Sequence, residues 1–385
     1  MTRVIIVRHE TEDPALFGAA AALVAAREGG QVFWPEARFD YSCHPDAAQH
    51  VAADGALVPS GLIWVERLGL PAARPLDALG VWDGLAVVPA HNAFLKNAEV
   101  LAGLYADAVE ERKVRIEGNS FVDAEGQIVG WRDDHGRVRL EMPEPAEPSG
   151  LTFAIAGPAR QFFETCPAPL AALADAIECE APGSAVRYLD PRQFLPMDFD
   201  GIDGVLLPGG SEMSAVAGQV AMAQAARKVG LPIVGLCLGM QSMSTAVARE
   251  LSGWENADMA EAAPASARHS FVRIESGEYR LGQRETRPVE GSRLARILGS
   301  ETGIACNHRY RLAPELHAGL ETRGVRVCAL GGSPEQNIAD AIEAVDGFYM
   351  GMQGHPELSS RPDRPHPLIR AFVAETRNFA RTRRA

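Results

Sequence analysis

Several features are missing from this 385-residue chain, and each absence removes a class of function. The six cysteines (Cys43, Cys166, Cys179, Cys237, Cys306, Cys328) never fall in C-x-x-C spacing. That argues against a structural zinc site and against a disulfide scaffold. Cys43, His44 and His50 lie near one another in sequence but do not supply four matched ligands, so no metal is expected there. Basic charge is in deficit, with 37 Lys+Arg against 50 Asp+Glu and a net charge of −13. The deficit is uneven: residues 1–149 hold 13 basic and 23 acidic side chains, and the remainder is near balance at −3. Phosphate backbones need a basic face, so no nucleic-acid partner is expected. No apolar run reaches the roughly 18 residues of a membrane span, and the N-terminus lacks a signal-peptide pattern. A reducing cytoplasm is the expected setting. No G-x-x-x-x-G-K-[ST] phosphate cradle occurs, and no cofactor is expected.

What remains is an ordinary globular composition, 46% hydrophobic and 23% charged, at a length that fits two domains of about 100–200 residues each. The stretch Val234-Gly235-Leu236-Cys237-Leu238-Gly239-Met240-Gln241 stands between an apolar run from Leu231 and a helix-like segment from Ser242 to Leu251. Gly-x-Cys-x-Gly between strand and helix is a nucleophile elbow, in which glycines permit a tight turn and the thiol projects at a helix N-terminus. Helix-end N–H groups favour the thiolate, the nucleophilic form. The alternative is a small buried apolar residue, a common fate of free cysteine.

Two other stretches supply what such a nucleophile needs. Val205-Leu206-Leu207-Pro208-Gly209-Gly210 reads as a buried strand ending in a glycine pair. Backbone N–H of Gly209 or Gly210, with that of Leu238, completes an oxyanion hole. Phe348 to Gly354 reads as a strand running into His355, with Glu357 two residues on. His355 can take the thiol proton and Glu357 can hold the imidazole tautomer, the base-and-orienter logic of a triad.

At these residues the sequence resembles the class I glutamine amidotransferases, and among them the glutaminase domain of the CTP synthases. Gly-Leu-Cys-Leu-Gly-Met-Gln at 235–241 fits the nucleophile motif. Gln353-Gly354-His355-Pro356-Glu357-Leu358-Ser359-Ser360-Arg361-Pro362, with Arg364-Pro365-His366-Pro367-Leu368, fits a longer C-terminal signature. Arg280-Leu281-Gly282, His308-Arg309-Tyr310 and the stretch from Gly253 to Glu261 fall between them in the family order. The resemblance covers about 151–376. It implies a flavodoxin-like, mostly parallel α/β sheet, and a pocket in which Glu261 takes the α-ammonium of glutamine and Arg309 its α-carboxylate. Tyr310 and Gln241 join them. The implied substrate is glutamine or another γ-glutamyl amide, the chain either acting alone or feeding ammonia to a separate synthase subunit; a homo-oligomer is compatible with the sequence.

The departures from that family are specific. Only about 150 residues precede the resemblance, too few for a nucleotide-phosphorylating domain that also lacks its phosphate loop. Ser211-Glu212-Met213-Ser214 follows Gly210 where the CTP synthases have a phenylalanine and glycine, Met259-Ala260 precedes Glu261 in place of Ser-Thr, and Asn307 replaces an arginine. Gly354 replaces a bulky aromatic residue before His355, which predicts extra room beside the scissile amide, and with it either a substrate with a larger leaving amine or the loss of a channel to a synthase. Besides γ-glutamyl amide hydrolysis through a cysteine thioester, two alternatives stand: nucleotide amination completed by another subunit, and a non-catalytic binding protein on the same scaffold.

The expected organisation is an α+β domain at 1–142, a proline-rich linker at 143–150 (Pro143-Glu144-Pro145-Ala146-Glu147-Pro148-Ser149-Gly150) and the amidotransferase-like domain at 151–385. Residues 1–8 read as a strand and 14–28 as a helix closed by Gly29-Gly30. Asn92 to Arg112 has helical apolar spacing, with Phe94, Leu101, Leu104, Tyr105 and Val109 on one face. Residues 113–140 read as a β-meander with turns at Asp123-Ala124-Glu125-Gly126 and Asp133-Asp134-His135-Gly136. Arg8-His9-Glu10-Thr11 invites comparison with the Arg-His-Gly-x-Thr opening of histidine phosphatases, but Glu10 stands in place of the glycine and no second phosphate-binding Arg-His is evident in this half of the chain. A strand-end histidine in a loop is the better reading. No family is recognised in 1–142.

Overall fold

The structure is a computed structural model and describes residues 1–52, 55–91, 95–275 and 277–384. The chain forms two compact units. The first comprises Met1–His50, Leu57–Glu144 and Arg160–Ala171, and the second Val51–Ala56, Pro145–Ala159 and Ala172–Ala385.

In the first unit an eight-stranded sheet runs in the order Arg74–Pro75, Gln31–Trp34, Gly84–Ala90, Thr2–His9, Ala108–Glu117, Ser120–Asp123, Ile128–Arg132, Val138–Arg139. The first five strands are parallel and the last three join antiparallel, so the β-α opening and the meander are both present. Val4, Ile5, Ile6 and Val7 are all buried, as a central parallel strand requires. The helix Ala19–Glu28 ends where Gly29 turns left-handed at φ 73°. In the first meander turn Asp123 accepts the N–H groups of Glu125 and Gln127 with one carboxylate oxygen.

Two expectations change here. Of the helix expected over Asn92 to Arg112, Asn92 to Phe94 lie outside the described residues, and the helix covers only Leu95–Tyr105. Asp107 ends it: its N–H bonds to the carbonyl of Thr2 and its carboxylate accepts the N–H of Thr2, which delivers the chain to the sheet in register. Val109, read as part of an apolar helix face, is instead 49% exposed on the strand Ala108–Glu117. The second change is that Arg160–Ala171 packs with the first unit rather than with the second domain. Its anchors are side chains: Cys166 donates to Gln49 Oε1 at 2.7 Å, Ser60 donates to the carbonyl of Thr165, and the Arg132 guanidinium lies 5.0 Å from the Phe163 ring centre.

In the second unit the sheet order is Ala185–Leu189, Thr152–Ala156, Gly204–Leu207, Ile233–Leu236, Tyr349–Met352, Ile338–Ala344, Val325–Gly331, Arg287–Pro288. Five parallel strands are followed by three antiparallel ones, the mostly parallel α/β sheet that was expected. Helices cover both faces. A side chain on Gly204 would strike Thr376 and Phe372 of the helix Pro367–Arg384, whereas one on Gly235 would strike Met243 and Gly239 of the helix Leu238–Ala248. Since Gly235 is in register with Leu207, three residues from Gly204, the two point to opposite sides. Beside this sheet lie the paired strands Arg280–Glu285 and Gly303–His308, and the strands His269–Arg273 and Tyr310–Leu312; Tyr310 opens the last of these and Arg309 joins it to Gly303–His308, whereas Glu261 lies in a turn and Gln241 on the helix Leu238–Ala248.

Candidate active site

Cys237 follows the central strand Ile233–Leu236 and caps the helix Leu238–Ala248, which begins four residues before the expected Ser242. Its backbone is at φ 48° and ψ −107°, a conformation that costs a non-glycine residue about 1–3 kcal/mol. The hydrogen bonds from Cys237 N–H to the carbonyl of Met352 (2.8 Å) and from Gln241 N–H to the carbonyl of Cys237 (3.1 Å) hold it there. The flanking glycines serve a different purpose from the one read in the sequence. The positive φ falls on Cys237 itself, and the glycines let the helix touch the sheet. A Cβ on Gly239 would lie 2.1 Å from the carbonyl oxygen of Leu207, and one on Gly235 would lie 2.5 Å from the Met243 sulfur.

The other expected residues converge on the same point, at the carboxyl ends of the parallel strands, where open α/β sheets place their sites. A Cβ on Gly209 would sit 3.1 Å from Cε1 of His355 and 3.2 Å from Cβ of Cys237, so the glycine lies against both. His355 Nδ1 and Glu357 Oε1 are 2.8 Å apart, and both side chains are nearly fully buried. Nε2 of His355 makes no hydrogen bond of normal geometry and is left for the thiol side of the site. Burial opposes a charge on this imidazole, but Cys237 and Glu357 outweigh it and hold its pKa well above the ordinary value. The resting site therefore favours an imidazolium beside the sulfur.

Of the expected pocket residues, Glu261 and Arg309 lie close enough to interact electrostatically. Gln241 is buried one helical turn beyond Cys237, with Oε1 unpartnered. Desolvation raises the pKa of Glu261, and the nearby Arg309 guanidinium works against the rise. Arg309 stacks on Tyr279, 3.7 Å from the ring centre, and the Tyr279 hydroxyl donates to Asn307. The residue that replaces an arginine of the CTP synthases thus steadies the platform under Arg309. Behind Tyr310, His308 donates through Nδ1 to the Tyr310 carbonyl (2.9 Å) and receives Arg280 at Nε2 (3.3 Å). Burial, helped by Arg280, pushes the pKa of His308 down to about 3, which keeps it neutral.

Reading the sequence missed two features of the site. The first is the buried Arg280–Asp340 ion pair, with side chains 1% and 2% exposed. The second is Gln353, fully buried, whose Nε2 donates to the Cys237 sulfur at 3.8 Å. Its place two residues before His355 was the signal that could have found it. Gly354 needs a correction. Its missing side chain leaves no room beside a substrate: a Cβ would lie 2.4 Å from Cγ1 and 2.5 Å from Cδ1 of Ile304, and 3.0 Å from the Ala305 carbonyl oxygen. Ile304 is itself buried, so the space that an aromatic residue would occupy is already filled. Among the described residues, no cluster of three His, Cys, Asp or Glu side chains could hold a metal ion.

Residues 179–374, just over half of the chain, match the glutamine amidotransferase class-I family, and the protein belongs to it. The matched domain is of the cysteine-dependent amidotransferase type, and the particular relatives are CTP synthases. The chain is 36% identical over 190 residues to the CTP synthase of Saccharopolyspora erythraea, covering 45% of this chain and 33% of that protein. It is 33% identical over 213 residues to that of Hyphomonas neptunium (49% and 39%). With the CTP synthase of Encephalitozoon cuniculi it shares 26% identity over 296 residues (74% and 55%). The first of these matches spans about a third of the relative's length. In fold the chain is similar to the glutaminase domain of Trypanosoma brucei CTPS, solved with bound acivicin, with TM-score 0.55 and 23% identity over 59% of this chain and 94% of that one.

Proposed function

We propose that this chain hydrolyses the side-chain amide of glutamine, or of a close γ-glutamyl relative, through a thioester on Cys237. The observation that carries the proposal is the convergence of Gly209, a left-handed Cys237 and His355, with Glu357 bonded behind the imidazole. The Cys237 thiolate adds to the amide carbon, and backbone N–H groups of Gly209 or Gly210 and of Leu238 receive the developing oxyanion. The His355 imidazolium gives its Nε2 proton to the leaving nitrogen, ammonia departs and the thioester remains. His355, now neutral, takes a proton from water as the oxygen adds to the thioester, and the free acid leaves as the thiolate re-forms. Glu357 keeps the imidazole oriented throughout. Glu261 holds the α-ammonium and Arg309 the α-carboxylate, with Tyr310 and Gln241 lining the same pocket.

The filled space at Gly354 supports glutamine itself over amides with larger leaving amines. The ammonia is either released or handed to a separate synthase subunit, the kind of partner that the CTP synthase relatives suggest. A reducing cytoplasm suits the free thiols, and among the described residues no helix is long and apolar enough to cross a membrane. Purified protein given glutamine should release ammonia, and Cys237→Ala should release none while keeping wild-type circular dichroism. Losing a nucleophile removes several orders of magnitude in rate, so substantial turnover by the variant would refute the assignment. CTP formation from UTP, ATP and ammonia by this chain alone would refute the need for a partner.

A further inference from the structure

Gln353 has no part in the reaction as written above, yet its surroundings are built with care. Its side chain is fully buried and its Nε2 donates to the Cys237 sulfur at 3.8 Å, while Oε1 has no hydrogen-bond partner. A buried orphan acceptor is destabilising, so the amide is held here by what its donor end does. That donor end meets the sulfur.

The backbone of Gln353 is fixed as tightly. Its N–H bonds to the carbonyl of Asp340 at 2.8 Å. The Asp340 carboxylate is gripped by both nitrogens of the Arg280 fork, through Nη1 to Oδ1 and through Nη2 to Oδ2 at 3.1 Å. Gly331 lies against this pair so closely that a Cβ there would be 2.0 Å from Asp340 Oδ2. Arg280 also donates to His308, which bonds the Tyr310 carbonyl. One buried ion pair thus ties the segment bearing Gln353 and His355 to the strand bearing His308.

We propose that Gln353 is a positioning residue that fixes the Cys237 sulfur and stabilises its thiolate in the resting site, with the Arg280–Asp340 pair holding Gln353 in place. The inference rests on Cys237 being the nucleophile, as proposed above. A thiol has little use for a second donor, whereas a thiolate gains from one, since hydrogen bonds to charged groups are about twice as strong as neutral ones. His355 supplies the charge on one side of the sulfur, and Gln353 supplies an uncharged N–H that survives deprotonation of the imidazole.

The test is the pH dependence of iodoacetamide alkylation, followed peptide by peptide by mass spectrometry in the full chain. Exposed Cys43 and Cys179 serve as references, and buried Cys306 and Cys328 stay unlabelled while the fold is intact. Burial pushes the pKa of Cys306 up to about 12 and that of Cys328 well above the usual range, so neither reacts in the folded protein. Gln353→Met, close in shape and without the donor, should move the Cys237 midpoint up by about 1–2 pH units, with the reference midpoints unchanged. Gln353→Glu, isosteric but anionic beside the sulfur, should move it further. A folded Gln353→Met protein with the wild-type Cys237 midpoint would overturn the proposal, even if its turnover fell. If wild-type Cys237 reacts no earlier in pH than Cys43 and Cys179, the nucleophile assignment itself fails, a result distinct from an unchanged midpoint in the variant.

Discussion

Gly354→Ala perturbs the site through packing alone. The added methyl would lie 2.4 and 2.5 Å from two carbons of Ile304, where carbon atoms normally keep about 3.5–4.0 Å. Ile304 is 3% exposed, so the overlap of more than 1 Å must be shared between its side chain and the neighbouring backbone. The nearest backbone is the hydrogen bond from His355 N–H to the Ala305 carbonyl, 2.8 Å long, which sets the height of the imidazole. Overpacking of this kind costs about 1–3 kcal/mol of stability. A displacement near 1 Å at a reacting group costs roughly 100-fold in rate. Urea denaturation and glutaminase kinetics on the same preparations should therefore show a modest loss of stability and a larger loss of kcat. Ile304→Ala, which opens the space the methyl needs, should rescue the variant in the double mutant, with a coupling of about 0.5–3 kcal/mol. Wild-type kinetics in Gly354→Ala, or strictly additive losses in the double mutant, would refute this packing argument and restore the idea of an open pocket at Gly354.

Glu357→Gln removes one of the two groups that raise His355 above its ordinary pKa against the pull of burial. The imidazolium is needed to protonate the leaving nitrogen, so activity falls as pH rises through the His355 value. The alkaline limb of kcat/KM should move to lower pH in the variant; an unmoved limb would mean that Glu357 does not govern the imidazole. A raised histidine pKa also contributes stability that is complete below about pH 6.5 and lost as pH rises through the folded value, so the stabilising charge pair should weaken on the alkaline side. Asp340→Asn leaves Arg280 buried without its counter-ion and should destabilise the protein by about 3–5 kcal/mol. Replacing both, as Arg280→Met with Asp340→Leu, should recover most of that loss in chemical denaturation. Equal loss in the single and double variants would show that the pair's worth is not the burial of an uncompensated charge.

The site was readable in the sequence wherever its chemistry is local. Gly235, Cys237 and Gly239 lie within five residues, and His355 and Glu357 are two apart, so spacing alone disclosed the turn and the paired imidazole and carboxylate. The alternation of apolar strands and helices from 151 onward disclosed the sheet in the same way, because the order of elements limits how a parallel sheet can be built. Periodicity failed at Val109. The apolar spacing there fits a helix, yet the two bonds between Asp107 and Thr2 recruit the segment into a strand, and a partner 105 residues away has no local signature.

The turn at Cys237, the pairing of His355 with Glu357 and a mostly parallel sheet to carry them were determined by the sequence itself, because neighbouring residues and short periods encode them. Tertiary structure alone decided the rest. It put Ile304 where Gly354 had suggested space, set Gln353 on a sulfur 116 residues away, and buried Arg280 against Asp340 across 60 residues. Each is a contact between segments whose approach is fixed by strand pairing and close packing, and a sequence carries the partners of such contacts without saying which will meet.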